Sequence, residues 1–297
     1  MSGRWQSLAL AGPSAIIVAM KPGERLKSRR AFLRWLAGGA VLAGVGGTAI
    51  GAAAWQILTR LDSGHGSGPT GLSFAKPSPT AWPSPTPPSA TAGALAPVIS
   101  QGDTSKARIA LTFDDGFYPE AIESVLDVCA REDMQLTFFP KGALLGRRPD
   151  LWRRAADEGH EIGNHTFDHT PLTYFAPDDP ATEGKILDQI DRWQEALDAL
   201  LGSPHPARYL RPPGGMVSDV VRAAVAKRGL QIVLWTLESG SVSGAEADQI
   251  AANVTGGATN GAIVLMHFVP SDAAALPAIV SRLKAGGFTL TTVSGVL

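Results

Sequence analysis

The chain has 297 residues, of which 44% are hydrophobic and 18% charged, and its formal net charge is -1. This composition excludes a collagen-like or wholly disordered chain, and a single cysteine excludes an internal disulfide framework. Residues 1–102 contain nine Lys or Arg and two Asp or Glu, whereas residues 103–297 contain 17 and 25. Because nucleic acid requires a basic face, the acidic larger part of the chain argues against nucleic acid as a partner.

Residues 1–60 are predicted to be an export signal or a membrane anchor. No charged residue occurs from 35 to 58, and a helix of that length, rising about 1.5 Å per residue, spans a bilayer core of roughly 30 Å. The preceding Ser28-Arg29-Arg30-Ala31-Phe32-Leu33 resembles a twin-arginine signal, which would make the twin-arginine export machinery a partner. An ordinary anchor with a basic flank is the alternative.

Positive charge stays on the cytoplasmic side, so we expect the remainder of the chain to be exported. Cleavage would release it, whereas an uncut segment 35–58 would hold it in the membrane; the expected location is extracellular, cell-wall associated or at the outer face of the cytoplasmic membrane.

Residues 61–102 are rich in Pro, Ser, Thr and Gly. Such a stretch buries too little apolar area to offset its ordering entropy, so it is predicted to be a disordered linker.

Residues 103–297 alternate between short apolar runs and amphipathic segments. The predicted strands are 108–113, 135–139, 161–163, 209–211, 232–235, 262–266 and 288–293. The predicted helices are 119–129, 150–157, 182–201, 218–228, 245–254 and 277–285. Repeated strand–helix units favour an α/β fold with parallel strands and outer helices, as either a barrel or a doubly wound sheet.

Polar side chains end or follow five of the predicted strands. Their positions are Asp114 and Asp115, His165 and His169, Arg211, Glu238, and His267. The carboxyl ends of parallel strands meet at one edge, where catalytic groups of barrel enzymes converge. The sequence therefore predicts one shared site.

His165 and His169 have the spacing of paired metal ligands if they lie on one helical turn. A surface coincidence explains an isolated pair equally well. A carboxylate would complete a three-ligand site with an open position, as in catalytic zinc centres. Either Asp114 or Asp115 can be that ligand, with the other as a general base, although Asp-Asp-Gly also occurs as a plain acidic turn.

Four motifs in this order resemble those of the polysaccharide deacetylases, the NodB homology domain or carbohydrate esterase family 4. They are Thr112-Phe-Asp-Asp-Gly116, His165-Thr-Phe-Asp-His169, Arg211-Pro-Pro-Gly-Gly215 and Leu265-Met-His267. The resemblance covers roughly residues 103–297, and it implies a distorted (β/α)7 barrel.

The resemblance also implies a role for each matching position. Asp115, His165 and His169 would hold Zn2+ or another divalent metal such as Co2+. Asp114 would take the proton from the attacking water, and Arg211 would orient Asp114 through a charge-assisted pair.

The remaining matching positions would act on the substrate. His267 would protonate the leaving amine, because an amine cannot leave as an anion and His has a suitable pKa. Leu265 would line the pocket for the acetyl methyl group. The turn at Pro213 and Gly214 would supply a backbone N–H to the oxyanion, and Trp235 is a further candidate for substrate binding.

Two departures from the family pattern concern the substrate. Gly214 stands where the family often has Tyr or Phe, which removes a wall of the groove. Glu238 stands where an Asp is usual after the Trp strand, and Ser241-Val242 replaces an Asp-Trp pair. Glu238 is retained as a catalytic candidate that would tune Arg211 or His267.

These features predict an exported, metal-dependent hydrolase that removes acetyl groups from amino sugars of an N-acetylated polysaccharide. Peptidoglycan is the first expectation, and a chitin-like polymer or an exopolysaccharide is the second. Two alternatives stay open: hydrolysis of a small cyclic or other non-sugar amide, and a non-catalytic module that binds the cell wall.

Overall fold

The computed structural model describes residues 94–297 and, further upstream, only two short paired segments. Those segments are β1 (Ser7–Leu8) and β2 (Val18–Ala19), which pair antiparallel. The predicted signal or anchor, with its apolar run 35–58, lies otherwise outside the described residues. Within the described part, no helix is long and apolar enough to cross a membrane.

Nine strands lie in the region from residue 94 onward. They are β3 (Val98–Ile99), β4 (Arg108–Asp115), β5 (Thr137–Pro140), β6 (Glu161–Ile162), β7 (Tyr209–Leu210), β8 (Gln231–Val233), β9 (Leu237–Glu238), β10 (Ala262–His267) and β11 (Thr289–Thr291). The longest, β4, is buried from Ile109 to Asp114 and is therefore the centre of the sheet. An apolar run without alternation is typical of a parallel strand that is covered on both faces.

The strands form two parallel sheets. One has the order β6-β5-β4-β10-β9. Strand β11 also belongs to this sheet: it pairs with the first residues of β4, and β5 pairs with the later residues of β4. The other has the order β3-β8-β7. Two isolated bridges connect the two sheets: Asn164, just after β6, pairs in parallel with Leu210 of β7, and Gln101, shortly after β3, pairs antiparallel with Ala262 of β10. The expected α/β fold with parallel strands is thus confirmed.

Eight α-helices surround these sheets in the described region. They are α1 (Pro119–Glu132), α2 (Gly142–Leu145), α3 (Pro149–Asp157), α4 (Thr182–Leu201), α5 (Asp219–Ala226), α6 (Ala247–Gly257), α7 (Pro270–Ala285) and α8 (Val293–Val296). The apolar face of α1, with Ile122, Val125 and Cys129, is buried in the main core. Burial in the core raises the pKa of the Cys129 thiol to about 12. Because the thiol therefore stays protonated at neutral pH, Cys129 is a packing residue and not a nucleophile.

Two predicted boundaries are wrong. Helix α7 begins at Pro270, seven residues before the predicted start, and Pro277 lies inside it. The linker was predicted to run to residue 102, but Ala96 is buried at 1% exposure and β3 pairs with β8. The part of the predicted linker that the structure describes, 94–102, therefore belongs to the folded domain because its apolar side chains complete the second sheet.

Candidate active site

Asp115, His165 and His169 come together at the carboxyl ends of β4 and β6. One possible ligand atom from each lies within 4.8 Å of the other two. Asp115 Oδ1 is 3.5 Å from His169 Nε2 and 3.9 Å from His165 Nε2. Two atoms that each lie about 2.0–2.2 Å from one zinc ion are at most about 4.4 Å apart, so both carboxylate–imidazole separations fit a shared ion.

The carboxylate of Asp115 supplies a second test of this fit. Its Oδ1 is buried and has no hydrogen-bond partner among the described residues. An unsatisfied buried acceptor costs about 1–3 kcal/mol, so such atoms are rare unless a function requires them. A divalent cation between this oxygen and the two imidazoles would satisfy it, and the donor set suits a divalent metal.

The tautomer of His165 follows from its backbone partner. Its Nδ1 lies 2.7 Å from the carbonyl oxygen of Arg211. Since a carbonyl oxygen only accepts, Nδ1 carries the hydrogen and donates it. The Nε2 lone pair is then free to face Asp115, which is the usual arrangement behind a metal-ligating histidine.

The two histidines do not lie on a helical turn, as their spacing predicted. They occupy an irregular loop in which Thr166 (φ 60°) and His169 (φ 70°) are left-handed. Asp115 (φ 76°) is left-handed too, so three of the four such non-glycine residues in the described region surround this site. Strained backbone of this kind persists where the surroundings over-determine it, which is typical of functional sites.

Hydrogen bonds fix this loop in place. The Thr166 N–H donates to Asn164 Oδ1 at 2.8 Å, and the His169 N–H donates to Thr166 Oγ1 at 3.2 Å. The first two N–H groups of α2 donate to the carbonyls of Thr166 and Phe167. The loop therefore has defined positions for both imidazoles without helical geometry.

The electrostatics of the cluster keep His169 neutral. Burial and the neighbouring His165 lower the pKa of His169 to about 4, although the Asp115 carboxylate opposes the shift. At neutral pH this ring consequently offers a lone pair to a cation without first losing a proton.

Asp114 and Arg211 form a buried ion pair beside the cluster. Arg211 has no exposed surface, and its Nη1 donates to Asp114 Oδ1 and to Thr112 Oγ1, both at 2.7 Å. Its Nη2 donates to the carbonyl of Leu234, and its guanidinium lies 4.2 Å from the ring centroid of Phe139. Burial lowers the pKa of Arg211, and Asp114 counters this effect.

This pairing orients Asp114 toward the candidate metal position. Its Oδ1 is bound by Arg211, while Oδ2 lies 3.7 Å from His165 Nε2. One oxygen is thus fixed, and the other faces the atoms that would hold the ion. A general base needs this placement, within reach of a reacting water.

His267 ends β10 directly beside Asp114, because the two residues pair across the sheet. Its Nδ1 is buried and without a hydrogen-bond partner in the described region. Leu265, two residues earlier on the same strand, is 7% exposed. The structure therefore brings both candidates to the edge where Asp114 and Asp115 lie.

The turn at Pro213–Gly215 lies between Arg211 and α5. Gly214 and Gly215 both have φ 68°, a conformation in which L side chains are strained. A Cβ on Gly215 would lie 2.6 Å from the Trp235 ring, so these two residues are in close contact. A Cβ on Gly214 would meet only the Met216 methyl group, at 3.8 Å, so this side of the site is open.

Glu238 does not make the contacts proposed for it. The bonds from Arg211 go to Asp114, Thr112 and backbone carbonyls, and none goes to Glu238. Glu238 is exposed, and its Oε1 accepts from the Trp235 indole N–H at 2.8 Å. Its longer side chain reaches back three residues, and the expected tuning of Arg211 or His267 is not seen.

Three residues of the site were not predicted from the sequence. Thr112 accepts from Arg211 and donates to the carbonyl of Val264 at 2.7 Å. Lys141 directly follows β5, and its Nζ lies 4.3 Å from the ring centroid of Phe117. Burial lowers the pKa of Lys141, while Asp115 opposes this. Lys141 could have been predicted, because it follows a strand as the other site residues do. Asp272, the third residue, lies on α7 and follows no strand, so the same pattern does not indicate it.

Comparison with known proteins identifies the family of the chain. The family model for polysaccharide deacetylase matches residues 101–233. The chain is 32% identical over 200 residues to the peptidoglycan-N-acetylmuramic acid deacetylase PdaA of Bacillus subtilis, a match that covers 66% of this chain and 73% of that protein. The chain therefore belongs to the polysaccharide deacetylase family.

A second relative is longer than this chain. The peptidoglycan-N-acetylglucosamine deacetylase PgdA of Listeria monocytogenes is 33% identical over 198 residues, which are 66% of this chain but only 40% of that protein. Among solved structures, a wild-type protein described as a CE4 family pseudoenzyme from Bacillus anthracis has a TM-score of 0.62 at 23% identity, and the match covers 67% and 68% of the two chains. This likeness shows the fold, a barrel-like (β/α)7 arrangement, as expected.

Proposed function

We propose that the protein is an exported, metal-dependent deacetylase that hydrolyses the N-acetyl amide of amino sugars in peptidoglycan. The observation that carries this proposal is the convergence of Asp115, His165 and His169 around one position that Asp114 Oδ2 also faces. Both curated relatives described above are named as peptidoglycan deacetylases, which supports the choice of polymer.

Asp115 Oδ1, His165 Nε2 and His169 Nε2 would hold a divalent ion, with Zn2+ as the first choice and Co2+ as another. When bound, such an ion lowers the pKa of a water and polarises a carbonyl oxygen. Asp114, held by Arg211, accepts the proton of the attacking water. The water oxygen adds to the acetyl carbon, and the C–N bond then breaks.

The substrate side of the reaction is divided among other residues. His267 donates the proton that the leaving nitrogen needs, so the products are acetate and a free amine. The backbone N–H of Gly214, in the Pro213–Gly214 turn, donates to the oxyanion, an interaction worth about 2.7–4 kcal/mol in comparable sites. Leu265 contacts the acetyl methyl group, and the Trp235 ring, packed on Gly215, borders the sugar.

Exposed aromatic side chains beside the site suit a carbohydrate. Phe117 and Tyr118 directly follow the turn that holds Asp115, and they are 37% and 47% exposed. Aromatic rings offer flat apolar area with a polar edge, which the faces of sugar rings complement. These residues compensate in part for the wall that is missing at Gly214.

That missing wall also favours a second candidate, hydrolysis of a small cyclic or other non-sugar amide. The fold alone is compatible with a non-catalytic wall-binding module, because a protein described as a pseudoenzyme shares it. The Asp114–Arg211 pair and the unsatisfied Asp115 oxygen favour catalysis, since a binding module needs neither.

Acetate release from purified peptidoglycan and from N-acetylglucosamine oligomers, with and without a chelator, tests the proposal. We expect release from peptidoglycan, its loss with chelator, and its recovery on addition of Zn2+. Asp114→Asn is the matched control, because it should retain bound metal and lose turnover. Turnover of small amides alone would support the second candidate, and a protein that binds no metal would support the module.

We also propose that residues 28–33 direct export through the twin-arginine machinery and that segment 35–58 leaves the protein at the outer face of the membrane unless it is cleaved. Replacement of both Arg29 and Arg30 by Lys should leave the protein in the cytoplasmic fraction. Export of that variant at the wild-type level would favour an ordinary membrane anchor.

A further inference from the structure

Two buried polar atoms without partners lie on residues that already touch each other. His267 Nδ1 and Asp272 Oδ1 are both buried and make no hydrogen bond to any described residue. Asp272 lies in the first turn of α7, has no exposed surface, and accepts the backbone N–H of His267 on its Oδ2 at 2.8 Å. One carboxylate oxygen is therefore anchored to His267, and the second has no partner at hydrogen-bond geometry, although the hydroxyls of Ser241 and Ser239 lie near the carboxylate.

The two unused atoms are chemically complementary. An ionised carboxylate only accepts, and Nδ1 is a donor in one neutral tautomer and in the protonated ring. Leaving either atom unsatisfied costs about 1–3 kcal/mol, and a single hydrogen bond between them would satisfy both. No Lys or Arg among the described residues forms an ion pair with Asp272, and His267 is the one ionisable group whose charge lowers the pKa of this buried carboxylate.

The surroundings of Asp272 are polar. Burial raises its pKa, while the hydroxyls of Ser241 and Ser239 and the backbone amide of His267 oppose the shift. Glu238 directly precedes Ser239, but its carboxylate accepts a hydrogen bond from the Trp235 indole and not from His267. Of these two carboxylates, only Asp272 contacts His267.

We propose that Asp272 is the positioning residue for His267, with Oδ1 accepting the Nδ1–H of the imidazole. This inference rests on the proposed deacetylase function, in which His267 is the general acid. The bond fixes the ring so that Nε2–H faces the leaving nitrogen, and it stabilises the protonated ring before transfer. When the C–N bond breaks, the proton on Nε2 passes to the leaving nitrogen of the sugar. The hydrogen on Nδ1 stays on the ring and remains hydrogen-bonded to Asp272, which neither gains nor loses a proton.

The dependence on the leaving group tests this role. An amine needs a proton in order to leave, whereas 4-nitrophenolate leaves without one. Asp272→Asn should lower kcat on N-acetylglucosamine oligomers by about 10²-fold with little change in KM, and it should leave hydrolysis of 4-nitrophenyl acetate within about threefold of wild type. His267→Ala should show the same selectivity, and Asp272→Glu should recover part of the lost activity.

Asp219→Asn is the matched control, because Asp219 also lies in the first turn of a helix but its side chain is 81% exposed. It should behave as wild type on both substrates. Equal losses of Asp272→Asn on both substrates would show a structural role only and overturn the inference, as would wild-type activity on both. A wild-type protein that is inactive on the oligomers and on peptidoglycan would overturn the proposed function itself.

A measurement on the wild-type chain keeps the inference testable if Asp272 variants do not fold. The ¹⁵N shifts of His267, assigned by comparison with His267→Gln, report which ring nitrogen carries hydrogen. A protonated Nδ1 across neutral pH is expected. An unprotonated Nδ1 in the neutral ring would overturn the inference.

Discussion

The guanidinium of Arg211 and the carboxylate of Asp114 form an ion pair at 2.7 Å in which Arg211 is fully buried. The backbone carbonyl of the same arginine accepts from His165 Nδ1. Arg211 thus orients the candidate base with its side chain and a candidate metal ligand with its main chain. The two parts of the site share one residue, so a change in its backbone position would affect both.

Removal of one partner from this pair should be strongly destabilising. Arg211→Met leaves the Asp114 carboxylate buried without its cation, and we expect the free energy of unfolding to fall by about 3–5 kcal/mol. The double variant Arg211→Met/Asp114→Asn should recover part of this loss, because no uncompensated charge remains. Urea denaturation of the four members of the cycle measures the coupling, and strictly additive losses would contradict it.

Metal content should depend on His165 in a way that does not require activity. His165→Ala removes a ligand whose orientation the Arg211 carbonyl fixes, so we expect the bound metal to fall from about one equivalent to well below it. His205→Ala is the control, because His205 is also partly buried but lies outside the three-ligand cluster. Elemental analysis after dialysis provides the measurement; equal metal in both variants would remove His165 from the ligand set.

Stability of the metal-free protein should rise with pH because of His169. Its pKa is about 4 in the folded protein against 6.5 as the ordinary value, so the unfolded chain binds more protons between these pH values. The contribution to stability is therefore complete above about pH 6.5 and is lost as the pH falls toward 4. Because 34% of the side chain is exposed, we expect only about 1 kcal/mol.

The measurement compares thermal unfolding of the wild type and His169→Asn from pH 4 to pH 7, both treated with chelator. The variant should show the shallower rise of Tm with pH. Parallel curves would mean that the imidazole titrates in the folded protein as it does in the unfolded chain.

The sequence predicts which residues reach this site but not the local conformation of the histidine loop. Asp115, His165, Arg211 and His267 were located because each follows an apolar run, and parallel strands bring such positions to one edge. The local form of the histidine loop was not predictable. Thr166 and His169 take left-handed conformations that non-glycine residues rarely adopt, and hydrogen bonds to Asn164, to the Thr166 hydroxyl and from α2 stabilise them.

The region after His267 shows a second limit. Pro270 and Pro277 both satisfy the preference of proline for the first turn of a helix, and the prediction took the later one. The helix begins at Pro270 because the buried Asp272 in its first turn bonds back to His267. That choice depends on a contact across the turn, which periodicity alone does not contain.

The close contact between Gly215 and Trp235 predicts unequal effects of two similar substitutions. Gly214→Ala and Gly215→Ala should both cost about 1–2 kcal/mol, because both residues have φ 68°. Gly215→Ala should cost at least about 1 kcal/mol more, since its Cβ would lie 2.6 Å from the indole ring whereas the Gly214 Cβ would be unobstructed. Denaturation midpoints of the two variants check this, and equal midpoints would show that the ring moves aside freely.

Glu238 gives the prediction that separates a catalytic acid from a structural one. Glu238→Gln keeps an oxygen that can accept the Trp235 indole N–H, now 2.8 Å from the carboxylate, and it removes only the charge. Because the charge is exposed and Arg211 does not contact it, kcat/KM on N-acetylglucosamine oligomers should stay within about twofold of wild type. Glu238→Ala should raise KM by a few fold instead, since the Trp235 ring loses its anchor beside the sugar. A loss of tenfold or more in kcat for Glu238→Gln would contradict this prediction and show that Glu238 takes part in catalysis. Such a role would require a contact with His267 or Arg211 that forms only when substrate is bound.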